Sequence, residues 1–182
     1  MEFGKLLTSR LRNTKGSADV PSRAPRASVA LLFTLDEKLC MIRRAKKEGD
    51  PWSGHMAFPG GREEQGDETL QKTAERETLE EVGIDLRQCV FLGRLEDQRH
   101  PKLEVSAFVY LTNGELDTQV EPEEVERIHW LDVRALRDEG NKGEKKVDFA
   151  GRTLSVPVIN VGDADIWGIS LRFIQDVLER LE

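Results

Sequence analysis

The sequence predicts an α/β fold, an α/β/α sandwich in which a mixed β-sheet lies between helices. Apolar runs bounded by turn residues recur along the chain, and such runs are typical of strands. One interior segment, 69–82, has a helix-forming composition and is followed by a glycine. The last segment, 166–181, repeats apolar residues at helical spacing. Strands and helices interspersed in this way favour helices layered on a sheet.

Composition limits the classes of function. The chain has 182 residues, of which 38% are hydrophobic and 34% charged, and this indicates a polar, globular, single-domain protein. A net charge of −7 argues against binding to nucleic acid or to an anionic membrane, because both favour a basic face. Cys40 and Cys89 are far apart and indicate free thiols in a reducing compartment. We recognise no signal peptide and no apolar run of spanning length, so we expect a soluble, cytoplasmic protein.

The N-terminal part is expected to precede the main domain. Apolar residues recur at helical spacing within 1–13, which predicts a short amphipathic helix that packs on the domain or on a partner subunit. Residues 14–26 are rich in Gly, Ser, Pro and Arg and predict a linker. The expected division is therefore 1–26, a helix and linker with a candidate dimer contact, and 27–182, the main domain.

The first half of the main domain leads to a glycine-rich turn. Strands are predicted over three segments: 27–35, 39–44 and 55–58. A loop at 46–54 separates the second strand from the third, and Pro59, Gly60 and Gly61 follow as a turn. The next helix is expected to span 69–82 and to end at Gly83. Its core side is expected to carry four apolar residues: Leu70, Ala74, Leu79 and Val82.

The second half is expected to alternate strands, loops and helices. Strands are predicted over three segments: 89–96, 104–112 and 125–130. Loops are predicted at 97–102 and, with acidic residues, at 121–124. A short helix at 133–139 is followed by a flexible polar loop at 140–146. A hairpin is predicted around Gly151, with strands at 147–149 and 153–159. Asp165 is expected to cap the final helix, 166–181.

Three glutamates in the interior helix point to metal chemistry. Glu77, Glu80 and Glu81 occupy positions i, i+3 and i+4, which share one helical face. Each like-charged pair costs a few tenths of a kcal/mol when exposed, and a structural helix would space such charges out. A divalent cation reverses the sign of that cost. Clustered carboxylate oxygens suit Mg²⁺ or Mn²⁺.

The stretch around these glutamates resembles the Nudix box, a pattern written G-x5-E-x7-R-E-U-x-E-E-x-G-U, with U a bulky aliphatic residue. The positions that match, with the correct spacing, are Glu68, Arg76, Glu77, Glu80, Glu81, Gly83 and Ile84. Two positions depart from the pattern: six residues separate Gly61 from Glu68, and Thr78 occupies the first U position. The extra residue lies in the turn and leaves the helix register intact. A pattern with so many fixed positions is a specific signal.

The resemblance implies roles for residues of the box. The implied metal ligands are Glu77, Glu80, Glu81 and a backbone carbonyl of Gly60 or Gly61. Arg76 would hold Glu77 in position through a charge-assisted hydrogen bond. Glu68 would have a structural role at the start of the helix, where a carboxylate complements the helix dipole.

The implied reaction is hydrolysis of a diphosphate, with Mg²⁺ as the cofactor and Mn²⁺ as a substitute. Metal ions bound to the carboxylates would bridge the diphosphate oxygens and lower the pKa of a bound water. The general base would be Glu80 or Glu81, or a residue of the acidic loop 121–124, where related enzymes often supply a further glutamate. Glu124 is our choice within that loop, although a plain solvated charge run explains the loop equally well.

Arginines near the box are candidates for binding the diphosphate, because guanidinium suits bidentate contact with phosphate. Arg44 ends a strand shortly before the box, and Arg62 lies in the box loop. Arg43 is the third candidate, although a surface arginine is the simpler interpretation, and His55 is more simply a packed or solvated histidine. Three aromatic residues are candidates for stacking on a base, although most such residues belong to the core or its rim: Trp52, Phe58 and Trp167.

Flanking segments narrow the resemblance to coenzyme A pyrophosphatase-type Nudix proteins. Residues 50–61 are similar to the segment before the box in those proteins, and 165–169 are similar to the start of their last helix. The similarity covers 27–182. The loop after Arg44 departs from their coenzyme A signature, since Ala45 replaces the usual serine and the loop is one residue longer. Coenzyme A therefore stays open as the substrate.

We therefore expect a Mg²⁺-dependent hydrolase of a nucleoside diphosphate linked to a second group. Coenzyme A and nucleotide sugars, including ADP-ribose, are the candidate substrates. The alternatives are a nucleoside triphosphate pyrophosphatase and a non-catalytic ligand sensor, and the intact glutamates argue against the sensor. RNA decapping is disfavoured because the sequence predicts no basic, aromatic-interleaved surface. The expected partners are a small nucleotide substrate and a second copy of the chain, without nucleic acid or membrane.

Overall fold

The computed structural model describes residues 2–12, 14, 24–100, 103–149 and 151–182. The helices in these ranges are α1 (Glu2–Leu11), α2 (Leu70–Val82), α3 (Val133–Arg137) and α4 (Gly168–Arg180), with 3₁₀ turns at Leu86–Gln88 and Glu139–Asn141. The strands are β1 (Arg26–Thr34), β2 (Lys38–Arg44), β3 (Met56–Ala57), β4 (Gly60–Arg62), β5 (Val90–Arg94), β6 (Gln98–His100), β7 (Leu103–Thr112), β8 (Val125–Asp132), β9 (Lys142–Phe149), β10 (Arg152–Val161) and β11 (Ala164–Trp167).

Eight of the strands form one mixed sheet. Five follow one another in the order β3-β2-β1-β7-β5, while β4 pairs with β1, β6 with β7 and β8 with β2. The long central strands β1 and β7 run parallel from Arg26 opposite Glu104 to Thr34 opposite Thr112. The other pairs in this sheet are antiparallel. The predicted mixed sheet is confirmed.

Helices cover both faces of this sheet, and strand β1 shows why its sequence is apolar throughout. Leu31 and Phe33 point to one face, where they share a hydrophobic cluster with α1 and α4. Ala30 and Leu32 point to the other face and share a cluster with α2. A strand buried on both faces needs apolar residues at successive positions rather than at alternate ones. The α/β/α sandwich is therefore confirmed.

Helix α1 packs on its own chain. Phe3, Leu7 and Leu11 are 6%, 0% and 0% exposed, and the rings of Phe3 and Phe33 lie 6.1 Å apart. The helix therefore packs on the domain, which is one of its two expected placements. Residues 15–23 of the predicted linker lie outside the described residues, and a dimer contact in this region stays a prediction.

A second, three-stranded sheet has the order β11-β10-β9. The prediction of a loop at 140–146 was wrong. Lys142–Phe149 forms strand β9, which pairs with Arg152–Ile159 at eight successive positions. Strand β9 was not predicted because most of its described side chains are solvent-exposed and polar. Such a strand has no apolar alternation to reveal it.

The start of the last helix was also predicted wrongly. Ala164–Trp167 pairs with β10, so α4 begins at Gly168 rather than at Ile166. Asp165 lies in β11 and bonds to Lys145 Nζ at 2.9 Å, so it does not cap the helix. Pairing with β10 across the two-residue turn of Gly162 and Asp163 therefore prevailed over the helical pattern.

Helix α2 has a different core side from the expected one. Leu79 is 46% exposed, whereas Thr78 is 1% exposed. Positions 70, 74, 78 and 82 follow one another at intervals of four, so Thr78 shares the inward face with Leu70 and Val82.

Two short strands replace expected irregular segments. Gly60–Arg62 is strand β4 rather than a free turn, and Gln98–His100 is strand β6 within the expected loop 97–102. Both lie at the end of the sheet where β1 and β7 begin, since β4 pairs with Ala27–Val29 and β6 with Leu103–Val105.

In the described ranges, no helix has the length and apolar character needed to span a membrane.

Candidate active site at helix α2

The box helix is fixed at both ends. The Thr69 side chain accepts a hydrogen bond from the Lys72 N–H at 3.2 Å and caps the N-terminus. Gly83 closes the C-terminus in the left-handed region, φ 73°, and its N–H donates to Leu79 O at 3.0 Å. These caps fix where the helix begins and ends, and burial of Leu70 and Val82 sets which glutamates face inward.

Three carboxylates converge beside strand β4. One oxygen each of Glu77, Glu81 and Glu124 lies within 4.8 Å of the others. Glu81 is 2% exposed, Glu77 is half-buried and Glu124 is exposed. The Gly60 N–H donates to Glu81 Oε2 at 2.8 Å, which holds that carboxylate toward the strand.

Backbone hydrogen bonds bring Glu124 to this position. The Glu121 N–H donates to Glu81 O at 2.9 Å, which ties the acidic loop to the end of α2. The Ala45 N–H donates to Glu124 O at 2.8 Å, which ties the same loop to the end of β2. The structure therefore places the predicted Glu124 beside the box.

Gly61 is required by the packing of this site. A Cβ at Gly61 would lie 2.3 Å from Glu77 Cδ, far inside van der Waals contact. The strand can approach the carboxylate of Glu77 only because the residue is glycine. Gly61 thus lies at the carboxylate cluster, as the predicted metal ligand set requires.

Arg76 connects the box loop to the helix. Its Nε and Nη2 donate to Asp67 Oδ1 and Oδ2 at 3.1 and 3.0 Å, and Nη1 donates to both Glu77 and Glu80 at 3.0 Å. Nη2 also donates to Arg62 O at 3.1 Å. The expected contact between Arg76 and Glu77 is present, and it is one part of a larger network.

Sequence reasoning missed Asp67. The guanidinium of Arg76 lowers the pKa of Asp67 to about 2, and the Glu64 N–H and the Thr73 hydroxyl also donate to this carboxylate. Asp67 lies in the turn that carries the extra residue of the box loop. The only signal in the sequence was its position just before the helix, which is typical of a capping residue.

Glu80 lies outside the carboxylate cluster. Its side chain is 58% exposed and bonds to Arg76. Glu77 and Glu81 are separated by one helical turn and point the same way, whereas Glu80 is rotated toward solvent. Its predicted roles as ligand and base are not supported by this arrangement and stay predictions.

Burial raises the pKa of two of the clustered glutamates. The pKa of Glu81 rises to about 8, mainly because burial penalises the charged form, and the charges of Glu77 and Glu124 add to this effect. The Gly60 N–H and the charge of Arg44 act in the opposite direction. Burial also raises the pKa of Glu77. A cation bound here would relieve both penalties.

The three candidate arginines have different surroundings. Arg44 Nη2 bonds to Asp50 Oδ2 at 3.1 Å, and its Nε is buried without a hydrogen-bond partner among the described residues. Arg62 is exposed in the box loop. Arg43 points away from the site, because its Nη2 donates to the backbone O of Asp163 at 2.5 Å. Arg44 and Arg62 thus lie at the site and Arg43 does not.

The candidate aromatic residues and His55 also differ in their burial and contacts. Phe58 is 2% exposed and belongs to the core. His55 and Trp167 form an edge-on pair with ring centroids 5.0 Å apart. Burial lowers the pKa of His55, and the nearby charges of Lys145 and Arg44 lower it further. Trp52 is 41% exposed.

Comparison with known proteins decides the family. The family model described as the NUDIX domain matches residues 23–149, well over half of the chain. The chain belongs to the Nudix family. The Nudix box is thus the segment 61–84, and the carboxylate cluster combines its helix with Glu124.

Relatives of known sequence include two coenzyme A diphosphatases. The mitochondrial coenzyme A diphosphatase NUDT8 of Homo sapiens is 29% identical over 180 residues, which cover 96% of this chain and 73% of that protein. The Mus musculus protein of the same name is 28% identical over 169 residues, 90% of this chain and 77% of that one. An uncharacterised protein of Schizosaccharomyces pombe is 38% identical over 105 residues, 53% of this chain but only 32% of that protein's length.

Solved structures show the same fold. The protein DR0079 of Deinococcus radiodurans superposes with a TM-score of 0.58 at 12% identity, covering 88% of this chain and 87% of that one. The NUDIX domain of NrtR from Shewanella oneidensis, solved as a complex with ADP ribose, superposes with a TM-score of 0.55 at 17% identity, covering 91% and 94%. Family membership and the two diphosphatase relatives support a Nudix hydrolase that acts on pyrophosphate bonds.

Proposed function

We propose that the protein is a Mg²⁺-dependent Nudix pyrophosphohydrolase. Its substrate would be a nucleoside diphosphate linked to a second group, and its products a nucleoside monophosphate and a phosphorylated remainder. The observation that carries this proposal is the convergence of Glu77, Glu81 and Glu124 within 4.8 Å at one end of the sheet.

The clustered carboxylates fit a divalent cation. Their oxygens are hard ligands, the pKa values of Glu77 and Glu81 are raised in the absence of a cation, and Gly61 leaves room for the strand to approach. Glu77, Glu81 and Glu124 would hold the ion. Bound there, Mg²⁺ or Mn²⁺ would offset diphosphate charge and lower the pKa of an attacking water.

Other residues of the chain would position the reactants. Arg76 orients Glu77 through the hydrogen bond at 3.0 Å and is itself held by Asp67. Arg44 lies near enough to influence Glu81, and with the exposed Arg62 it would bind the diphosphate. Glu81 or Glu124 would accept the proton of the attacking water, with Glu80 as the less favoured base.

Coenzyme A and ADP-ribose are the leading candidates for the substrate. The former is supported by the two relatives named as coenzyme A diphosphatases and the latter by the ADP ribose bound to the NrtR domain. Ala45 and the longer loop after Arg44 depart from the coenzyme A signature, so both candidates belong in the test.

The test is a product-release screen with purified protein. Coenzyme A, ADP-ribose, nucleotide sugars and nucleoside triphosphates would be incubated with Mg²⁺, Mn²⁺ or chelator, and the cleaved bond identified by mass spectrometry. Glu77→Gln should abolish turnover, and Glu123→Gln, which alters a neighbouring exposed glutamate of the acidic loop outside the cluster, should not. If folded protein binds metal yet turns over none of these compounds, the non-catalytic ligand sensor replaces the enzyme.

A homodimer is a separate proposal. Because the apolar side of α1 is buried in its own chain, a dimer would use other surfaces or exchange the helix between copies. Analytical ultracentrifugation at several concentrations tests for the dimer: a dimer mass supports the proposal, and a monomer mass throughout overturns it.

A cytoplasmic location is the remaining proposal. It is supported by two free thiols, Cys40 fully buried and Cys89 half-buried, which are typical of reducing compartments. The relatives named as mitochondrial make mitochondria the alternative. Fractionation of the source cells, followed by immunodetection, distinguishes the two.

A further inference from the structure

The loop between β2 and β3 holds an exposed tryptophan in a fixed position. The Trp52 N–H donates to Asp50 Oδ1 at 3.0 Å, and the Ser53 N–H donates to Asp50 O at 3.1 Å. The His55 N–H donates to Trp52 O at 3.1 Å. Although its backbone is constrained on both sides, Trp52 is 41% exposed, while Trp130 and Trp167 are partly buried. A large aromatic surface is thus left facing solvent.

This loop is joined to the carboxylate site through Asp50. The same Asp50 side chain that anchors Trp52 also pairs with Arg44 at 3.1 Å. Arg44 in turn lowers the pKa of Glu81, and the next residue, Ala45, bonds to Glu124. Asp50 thus connects the loop of Trp52 to the arginine that would bind the diphosphate.

His100 braces the indole from across the sheet. The ring centroids of Trp52 and His100 lie 6.5 Å apart with planes at 77°, an edge-on contact. Trp52 follows β2, His100 belongs to β6 beside β7, and β1 lies between β2 and β7. The contact thus spans the end of the sheet at which β4 lies. Because it is edge-on, at least one face of the indole is not covered by His100.

We propose that Trp52, braced by His100, is the platform on which an aromatic heterocycle of the substrate stacks. The proposal rests on the proposed function, since it assigns the nucleoside half of the substrate to this loop. Any base can stack on an aromatic side chain, because every base has a π-face. The platform therefore selects substrates that carry a heterocycle over those that lack one, with little preference among bases.

Binding without turnover tests the platform directly. Adenosine 5′-monophosphate would be titrated into metal-free protein and followed by tryptophan fluorescence and calorimetry. Trp52→Ala should weaken binding by roughly ten-fold, and Trp52→Phe should restore most of the affinity, since stacking on an aromatic residue is worth about that much. Phe91→Ala is the matched control, because Phe91 is 44% exposed but lies on the edge strand β5. Thermal melting of each variant verifies folding.

Steady-state kinetics distinguish a role of Trp52 in substrate binding from a role in the chemical step. With a nucleoside diphosphate-linked substrate, Trp52→Ala should raise KM by roughly ten-fold and leave kcat within about two-fold. With a dialkyl diphosphate that lacks a heterocycle, the same variant should behave like wild type. An equal loss on both substrates, or unchanged binding of the monophosphate, overturns the proposal. If wild type hydrolyses no diphosphate but still binds the monophosphate through Trp52, the proposed function fails and the platform stands.

Discussion

At the scale of single residues, the site is defined by charges that are costly to bring together. Glu81 is almost fully buried near two other carboxylates, and the Gly60 N–H and the nearby Arg44 partly compensate its charge. An arrangement of this kind destabilises the fold unless a cation is bound. The position of each carboxylate therefore decides how much it contributes to metal binding.

Glu124 and Glu80 should differ in their effect on metal binding. Glu124→Gln removes a member of the cluster and should weaken Mn²⁺ binding by roughly ten-fold or more. Glu80→Gln removes an exposed carboxylate outside the cluster and should change the affinity by less than about two-fold. Calorimetric titration of both variants measures this difference. Equal losses would show that Glu80 turns inward when the ion binds.

Glu81 should make the stability of the metal-free protein depend on pH. Its pKa is raised from 4.5 to about 8, so its contribution to stability is present below 4.5 and is lost as pH rises through about 8. The melting temperature of the metal-free protein should fall across this window. Glu81→Gln should flatten that part of the profile, and added Mg²⁺ should do the same in wild type. A profile that is flat in metal-free wild type would contradict the raised pKa.

At the scale of secondary-structure elements, the end of α2 links the box to the acidic loop. Gly83 closes the helix with a positive φ, and the Gln119 N–H then donates to Val82 O at 2.9 Å. The Glu121 N–H continues this contact to Glu81 O. The C-terminal cap thereby sets both the end of the box helix and the path of the loop that carries Glu124.

Gly83→Ala should destabilise the protein. A side chain here must adopt φ 73°, and its Cβ would lie 3.1 Å from the backbone N of Gln119. The expected cost is about 1–2 kcal/mol, a fall in melting temperature of roughly 2–8 °C for a domain of this size. Gly114→Ala is the control, because its Cβ meets nothing within 4 Å and its φ lies outside the positive range. A neutral Gly83→Ala would mean that the cap relaxes without cost.

At the scale of the whole molecule, the N-terminal helix completes one of the two hydrophobic layers. Leu7 and Leu11 are fully buried in the cluster that also contains α4 and one face of β1. The helix is thus part of the domain core in the structure, which is one of the two placements that the sequence left open.

Leu7→Ala should therefore cost about 2–5 kcal/mol, as for other buried leucines. Lys5→Ala, on the exposed side of the same helix, should have little effect. Urea unfolding of both variants gives the two free energies of unfolding. If Leu7→Ala cost no more than Lys5→Ala, the helix would not be part of the folded core in solution.

The sequence by itself determined the features that depend on local spacing. The box helix, its end at Gly83 and the shared face of Glu77 and Glu81 follow from helical periodicity and from the conformational freedom of glycine. The long strands β1 and β7 follow from their apolar runs, 29–33 and 107–111, which are typical of strands. These features required no knowledge of distant contacts.

Only the tertiary structure decided which distant residues join them. Glu124 enters the carboxylate cluster, and Asp67 holds Arg76, through hydrogen bonds that depend on how loops close over the sheet. Such outcomes depend on the summed energy of long-range pairing and burial, which no local pattern records.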